Sequence, residues 1–346
     1  MRSATREPTV PNPIKPTFKV LTVTGAILPG MARVLREADV ARVIEMDAVI
    51  AAVTAATRDL AEGKAQNEPR RRAFAPRGFL NVMFAAYPGG DCLGLKAYSV
   101  ADGAVRFLVT VFGLDGALKA LIEAENMGAY RTGAASAVAA RALTPRHPLT
   151  VGLIGAGRQA RTQALALSRV LEIAELRVFS RDQSHRESFA AEQATSLGIK
   201  VVAAGSAEAA VRGADVVLTI TTSSTPVLEA GWVEGNALVI GAGSNFANRT
   251  ELPTDLITRA KTIVVDQLAT ARIESGDLIA ANAAGSFDWE RATELGTVLA
   301  ASWKAPEQPG ITVFESHGLA LWDLAAASVV LPAAIQSGLG EEVSLF

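Results

Sequence analysis

The chain has 346 residues, 49% of them hydrophobic, and 33 Lys and Arg against 35 Asp and Glu give a formal net charge of −2. A chain this long can hold more than one hydrophobic core, and its near-neutral charge argues against nucleic acid or an anionic membrane surface as the main partner. A single cysteine, Cys92, excludes an internal disulfide and a cysteine-based metal cluster, and His147, His185 and His317 lack ligand spacing, so no metal is expected.

No apolar run approaches the roughly 20 residues of a membrane span, and a cytoplasmic protein is expected. Met1 to Pro16 is rich in Pro, Thr and Arg without apolar periodicity and reads as disordered. Val20 to Leu28 is apolar but short, with no compact cleavage site after it. A flexible extension over residues 1–33, or a start at Met31, is expected in preference to a signal peptide.

Organised sequence is expected from Val34. Asp39 is placed as the cap of one helix running through Val43, Ile44, Met46, Val49, Ile50 and Val53, with Gly63 at its end. Four β-rich runs follow, Phe79–Phe84, Leu93–Val100, Val105–Phe112 and Leu118–Ile122. Pro88-Gly89-Gly90, Asp102-Gly103 and Asp115-Gly116 separate them, which predicts an antiparallel sheet of hairpins. Arg131–Leu143 is Ala-rich and helical. Beyond it, Leu176–Ser180, Lys200–Ala203, Asp215–Thr221, Ala237–Gly241 and Thr262–Asp266 alternate with helical segments and read as strands of a parallel sheet. The tail from Val313 to Leu331 is expected to be helical and to pack back on the first unit.

The decisive segment is Val151-Gly152-Leu153-Ile154-Gly155-Ala156-Gly157-Arg158-Gln159-Ala160. A buried apolar strand leads into Gly-x-Gly-x-x-Ala at the start of a helix, the setting in which this motif binds a dinucleotide. Gly155 permits the tight turn, Gly157 lets a pyrophosphate approach the backbone, and Ala160 lets helix and strand pack closely. The free N–H groups at the helix start then hold the phosphates. An acid about 20 residues further on would hold the adenine ribose and repel a 2′-phosphate. Here Ser180 stands at that point, followed by Arg181, which can pair with a phosphate. NADP(H) is therefore favoured and NAD(H) is the alternative, with Asp182 reaching the ribose.

Several ordered motifs resemble the ornithine cyclodeaminase/mu-crystallin family. They are Gly94-Leu95-Lys96, Arg131-Thr132-Gly133-Ala134-Ala135, the segment Gly155 to Ala160, and Gly243-Ser244-Asn245 with Arg249-Thr250-Glu251-Leu252. Glu274-Ser275-Gly276-Asp277 follows, then Thr312-Val313-Phe314-Glu315-Ser316-His317-Gly318 with Asp323. The resemblance implies an α/β fold, with a Rossmann domain at 132–307 inserted into a discontinuous α+β substrate and dimerisation domain at 34–131 and 308–346. It also implies a homodimer formed through the hairpin sheet.

Lys96 lies mid-strand among apolar residues, where a cation is costly unless an anion meets it. The resemblance makes it a contact to the substrate carboxylate and makes Arg131 a second clamp that also touches the cofactor. A planar guanidinium suits a carboxylate. A third clamp is expected just after Pro69; spacing favours Arg71, with Arg70 the alternative. Beside Gly155, Gly157, Ser180 and Arg181, read above from the motif and the end of the second strand, cofactor contacts are expected at Thr132, Arg158 and Gln159, and the resemblance assigns them to Thr221, Ala242, Gly243, Ser244, Asn245 and Ser316. His317 falls where members of the family often carry an apolar residue facing the substrate, so it is either a packed histidine or a residue that tunes the substrate.

Asn245 is the departure. In ornithine cyclodeaminases the matching residue is a proton-exchanging aspartate, and an amide cannot serve as a general acid or base near neutral pH. The expected activity is therefore NAD(P)H-dependent hydride transfer to an imino acid or cyclic ketimine carboxylate, or the reverse oxidation of an L-amino acid, with Lys96 and Asn245 at the reacting atoms. The alternatives are cyclodeamination of ornithine to proline and ammonia with a recycled NAD, and a non-catalytic protein that binds a nucleotide or small ligand.

Overall fold

The architecture was read from a computed structural model, which describes residues 30–144, 148–300, 303 and 310–345. Two sheets carry it. The first contains β1 (Met31–Leu35), β2 (Gln66–Ala75), β3 (Gly78–Tyr87), β4 (Cys92–Ala101), β5 (Ala104–Phe112), β6 (Leu118–Glu123) and β15 (Glu341–Ser344) in the order β15-β1-β6-β5-β4-β3-β2. From β2 to β6 it is an antiparallel meander, while β1 runs parallel to β6. Period-two alternation turns Met83, Lys96, Tyr98 and Val109 inward and leaves Leu80, Phe84, Leu93 and Leu108 exposed. Three helices, α1 (Glu37–Val43), α2 (Met46–Ala61) and α11 (Ala320–Gln336), belong with this unit. Of these, α11 packs on β3 and β4 and against α2.

The second sheet is parallel throughout. It holds β7 (Leu149–Ile154), β8 (Ile173–Phe179), β9 (Val201–Ala203), β10 (Val216–Thr219), β11 (Leu238–Gly241), β12 (Thr262–Val265), β13 (Ala292–Glu294) and β14 (Thr312–Glu315), in the order β13-β12-β14-β11-β10-β7-β8-β9. Its central strands are buried end to end, as expected of a parallel sheet covered on both faces. The accompanying helices are α3 (Glu125–Leu143), α4 (Arg158–Ser168), α5 (Gln183–Leu197), α6 (Ala207–Val211), α7 (Thr254–Arg259), α8 (Leu268–Glu274), α9 (Gly276–Ala283) and α10 (Leu295–Val298). The small residues of α3 allow close packing on α4, and a Cβ added at Gly133 would stand 2.5 Å from the Thr162 carbonyl oxygen. Among the described residues no helix is long and apolar enough to cross a membrane.

Several expectations are corrected. Residues 31–33 are not part of an extension but begin β1, held by pairing to β6 and β15 rather than by a local pattern; residues 1–29 lie outside the described residues. The single helix expected from Asp39 to Val53 is two, because Ile44 and Glu45 are extended. Asp39 sits inside the first turn and accepts the Arg36 backbone N–H at 3.0 Å, the N3 half of a capping box whose other half a guanidinium, a donor only, cannot supply. The helix expected from Arg131 starts six residues earlier, at Glu125, which places Arg131 in the interior of α3. The tail does not return as a helix at Val313. Thr312–Glu315 form a strand between β11 and β12 of the parallel sheet, although residues from 308 onward were expected with the first unit, and the helix starts at Ala320. β-prone Val313 and Phe314, both fully buried, complete that sheet.

Candidate active site

A cleft of about 150 Å³ opens where the carboxyl ends of the parallel strands meet β2 and β4 of the other sheet. Its basic wall is unusual in how the charges are shared. Lys96 reaches in from the middle of β4 and is 3% exposed. Its Nζ donates to Asp323 Oδ1 at 2.8 Å, and Arg131 Nε donates to the same oxygen at 3.2 Å. Two buried cations therefore share one carboxylate oxygen, and Asp323 Oδ2 has no partner. Burial pulls the Lys96 ammonium down from its ordinary value to about 8, against the upward pull of Asp323. Backbone shape makes room for both cations: a Cβ at Gly128 would stand 3.1 Å from Lys96 Nζ, and one at Gly318, where φ is +83°, would collide with the Arg131 guanidinium.

The arginine run of β2 divides in a way that corrects the expected third clamp. Arg71 is exposed, and it is Arg70, 3% exposed, that lines the cleft. The cause is an irregularity in the β2–β3 register between Glu68 and Arg71, which changes which arginine points inward. Arg70 pairs with the buried Glu274 and donates to the His317 carbonyl at 3.2 Å. Arg72 also reaches Glu274, at 3.4 Å, and its Nη2 donates to Asn245 O at 2.6 Å and to Asn245 Oδ1 at 3.3 Å. Burial raises the Glu274 carboxyl against the lowering influence of both arginines and His317.

Opposite stands a glycine-rich cradle at the start of α4. Gly155 has φ +114°, and a Cβ there would meet the Ile220 carbonyl, so glycine is required. At Gly157 an added Cβ would meet nothing within 4 Å, which leaves open space over the start of α4 where no side chain caps the helix. That space and the free N–H groups fit a pyrophosphate. Arg158, Gln159, Thr132, Ala242, Gly243, Ser244, Asn245 and Ser316 all line the cleft. The Ser316 hydroxyl is buried without a partner, another group that fits a ligand. Thr221 stands at the edge of this cradle: its N–H and hydroxyl donate to Glu251 at 2.7 and 2.5 Å, as the Gly243 N–H does at 2.7 Å. Ser180 and Arg181 lie beyond the end of β8, outside the cleft lining. Ser180 Oγ donates to the Asp182 carbonyl at 3.1 Å and Arg181 is exposed. The Asp182 carboxylate accepts the His185 N–H on Oδ1 at 2.8 Å as the cap of α5.

His317 reaches the cleft wall, but both ring nitrogens are engaged: Nδ1 stands 3.5 Å from Asp266 Oδ1 and Nε2 stands 3.5 Å from Glu315 Oε2. Burial alone would lower its pKa, yet the two carboxylates raise it to about 10. Asp266 also accepts the backbone N–H groups of His317 and Gly318 at 2.7 and 2.8 Å. The residue is therefore a bracket for the Ser316–Gly318 turn, and its nitrogens are not turned to a substrate.

Asp323, Arg72, Glu251 and Glu274 carry much of this geometry without a role assigned from sequence. The signal was present in the acids of Glu274-Ser275-Gly276-Asp277 and in Asp323 within an otherwise apolar helix, where a carboxylate needs a buried partner.

A family model described as the ornithine cyclodeaminase/mu-crystallin family matches residues 31–338. The chain is 34% identical over 327 residues to the L-lysine cyclodeaminase of Streptomyces rapamycinicus, covering 88% of this chain and 91% of the relative. Among solved structures, it resembles Thermococcus litoralis Δ1-pyrroline-2-carboxylate reductase in complex with NADH and L-proline. The identity there is 30%, coverage is 90% of this chain and 100% of the other, and the TM-score is 0.84. An archaeal alanine dehydrogenase dimer with bound NAD gives 31% identity, 91% and 100% coverage, and a TM-score of 0.86.

Proposed function

The chain belongs to the ornithine cyclodeaminase/mu-crystallin family, and from that premise we propose that it is a nicotinamide-dependent oxidoreductase that reduces an imino acid or cyclic ketimine carboxylate, or oxidises the corresponding L-amino acid. The observation that carries this reading is the shared oxygen of Asp323. Lys96 and Arg131 bring two positive charges to one internal carboxylate, so the buried wall keeps an excess cation that a substrate carboxylate would neutralise.

Lys96, Arg131 and Arg70 are assigned the carboxylate, and Asn245 the orientation of the nitrogen. A bound reduced nicotinamide supplies the hydride to the imine carbon. Holding the carboxylate fixes that carbon's distance and face, which is how orientation lowers the barrier. The nitrogen must gain a proton as the carbon is reduced. A lysine whose pKa is about 8 is suited to release one near neutral pH. Thr132, Gly155, Gly157, Arg158, Gln159, Thr221, Ala242, Gly243, Ser244 and Ser316 are assigned to the dinucleotide. NADP(H) is the favoured form because Ser180 stands where an acid would hold the adenine ribose and exposed Arg181 beside it can pair with a 2′-phosphate, while Asp182 caps α5 through Oδ1. A homodimer that covers the outer face of the first sheet is the proposed assembly, supported by the exposure of Leu80, Phe84, Leu93 and Leu108 there. Residues 31–124 with the terminal α11 and β15 are proposed as the substrate and dimer unit, and the parallel sheet with its helices, α3 included, as the nucleotide unit.

The test is oxidation of NADPH and NADH, followed by absorbance, with Δ1-pyrroline-2-carboxylate and open-chain imino acids, beside an ornithine reaction scored for proline and ammonia. Imine-dependent oxidation without proline from ornithine is expected. Robust proline formation from ornithine would overturn the reading, as would the absence of any imine reduction.

A further inference from the structure

Arg72 has no part in the assignment above, yet it is one of the most constrained side chains near the cleft. Its side chain is 13% exposed. The guanidinium lies over the Phe246 ring with Cζ 4.3 Å from the centroid, and Phe246 is held edge-on by Phe79 at 5.8 Å. On its other side Arg72 meets Glu274, itself fixed by Arg70. A guanidinium offers donors only, so the group it meets on Asn245 must be the amide oxygen. The amide nitrogen is thereby turned the other way, and it has no partner among the described residues although Asn245 lines the cleft. Asn245 Nδ2 thus joins Lys96 Nζ and the Arg70 and Arg131 guanidiniums, four donor groups on the lining of one cleft. Among the described residues the one carboxylate that lines the cleft is Glu125, about half exposed and paired with Arg158.

Resting on the function proposed above, we infer that Arg72 is a specificity-determining positioning residue. By pinning the Asn245 amide oxygen, it presents Nδ2 to the cleft, so that at this point the site takes a substrate group that accepts a hydrogen bond and disfavours a side chain that ends in an ammonium. A terminal ammonium directed at Asn245 would be desolvated against the amide NH2 and beside the Lys96, Arg70 and Arg131 cations. The accepted class is imino acids with a neutral imine nitrogen, and amino acids whose side-chain polar atom, where there is one, carries a lone pair: a carbonyl or a hydroxyl. Diamino acids are the excluded class.

The experiment measures binding of L-ornithine and L-glutamine, similar in length but ending in an ammonium and in an amide, to the full chain saturated with nicotinamide cofactor. Both are measured by calorimetry on the parent, Arg72→Met and Arg72→Lys. The parent is expected to bind glutamine at least tenfold more tightly than ornithine. Arg72→Met frees the Asn245 amide to turn over, and the ratio is expected to fall to within about threefold. Arg72→Lys keeps a donor-only cation and is expected to retain most of the preference. A merely structural role would weaken both ligands together and leave the ratio unchanged. Equal binding of the two ligands by the parent overturns the inference, and so does an unchanged ratio in Arg72→Met. If Arg72→Met does not fold, the parent and Arg72→Lys ratios decide. Because the readout is binding, failure of the parent to reduce any imine would refute the proposed function separately.

Discussion

Lys96→Met separates what this side chain does for activity from what it does for stability, and the two are expected to move in opposite directions. Methionine keeps an unbranched stem in the same slot and removes the charge. Asp323 is not orphaned, because Arg131 Nε remains 3.2 Å from Oδ1. A charge-assisted hydrogen bond to a substrate carboxylate is worth roughly 1.5–3 kcal/mol, so kcat/KM should fall by about 10- to 150-fold, with cofactor affinity retained. Stability follows the proton. The ammonium is displaced from 10.5 to about 8, so holding it charged in the fold costs roughly 3 kcal/mol, at about 1.36 kcal/mol for each tenfold change in proton affinity. This penalty is fully present below about pH 8 and is relieved as pH rises from there through 10.5, since the unfolded lysine stays protonated over that interval while the folded one does not. The methionine variant should therefore melt no lower than the parent near neutral pH, and its advantage should shrink as pH approaches 10. Initial rates and thermal melts of both proteins across this range form the assay. A kcat/KM within about threefold of the parent, or a melting difference that does not change with pH, would refute the reasoning.

Arg70→Met should cost about 3–5 kcal/mol of unfolding free energy by orphaning much of the charge on Glu274, whereas exposed Arg71→Met should stay within about 0.5 kcal/mol; urea unfolding of both variants distinguishes the two arginines. Ser180→Asp should reverse a preference for NADPH over NADH, measured as the ratio of kcat/KM values, because an acid there meets the 2′-phosphate. Gly243→Ala places a methyl group against the Glu251 carboxylate and should weaken cofactor binding at least tenfold by fluorescence titration, with a smaller effect on the melting point. Asn245→Asp alone should not yield proline from ornithine, because Arg72 is placed to hold the introduced carboxylate ionised; product analysis of the variant checks this.

The nucleotide half of the site was legible in the sequence because its requirements are local. A buried strand, two glycines and an alanine within ten residues are enough to specify a turn, and the turn forms as expected at Gly155. The hairpin runs were legible for the same reason, since alternation and turn residues lie side by side. What escaped depends on contacts between distant segments. The choice between Arg70 and Arg71 is made by a register irregularity that only pairing with β3 reveals. The turning of His317 away from the substrate requires Asp266 and Glu315, and Asp266 lies 51 positions away in the chain. Asp323 was visible as an oddity in an apolar helix, but its role as shared counter-ion requires Lys96, 227 positions earlier.

The place of β14 has a consequence for the order in which the protein assembles. Thr312–Glu315 are the last strand of the parallel sheet to leave the ribosome, yet they sit between β11 and β12 rather than at an edge. Until they arrive, the block from β7 to β11 and the pair β12–β13 have no strand joining them. The residues that follow at once are Ser316, His317 and Gly318 of the cleft, and then Asp323. A nascent chain halted before Thr312 would hold most of its nucleotide motif but neither a continuous sheet nor the counter-ion for its two buried cations. Productive ligand binding is thereby deferred to the end of synthesis, and limited proteolysis of a chain truncated after residue 311 should release the two strand blocks as separate fragments.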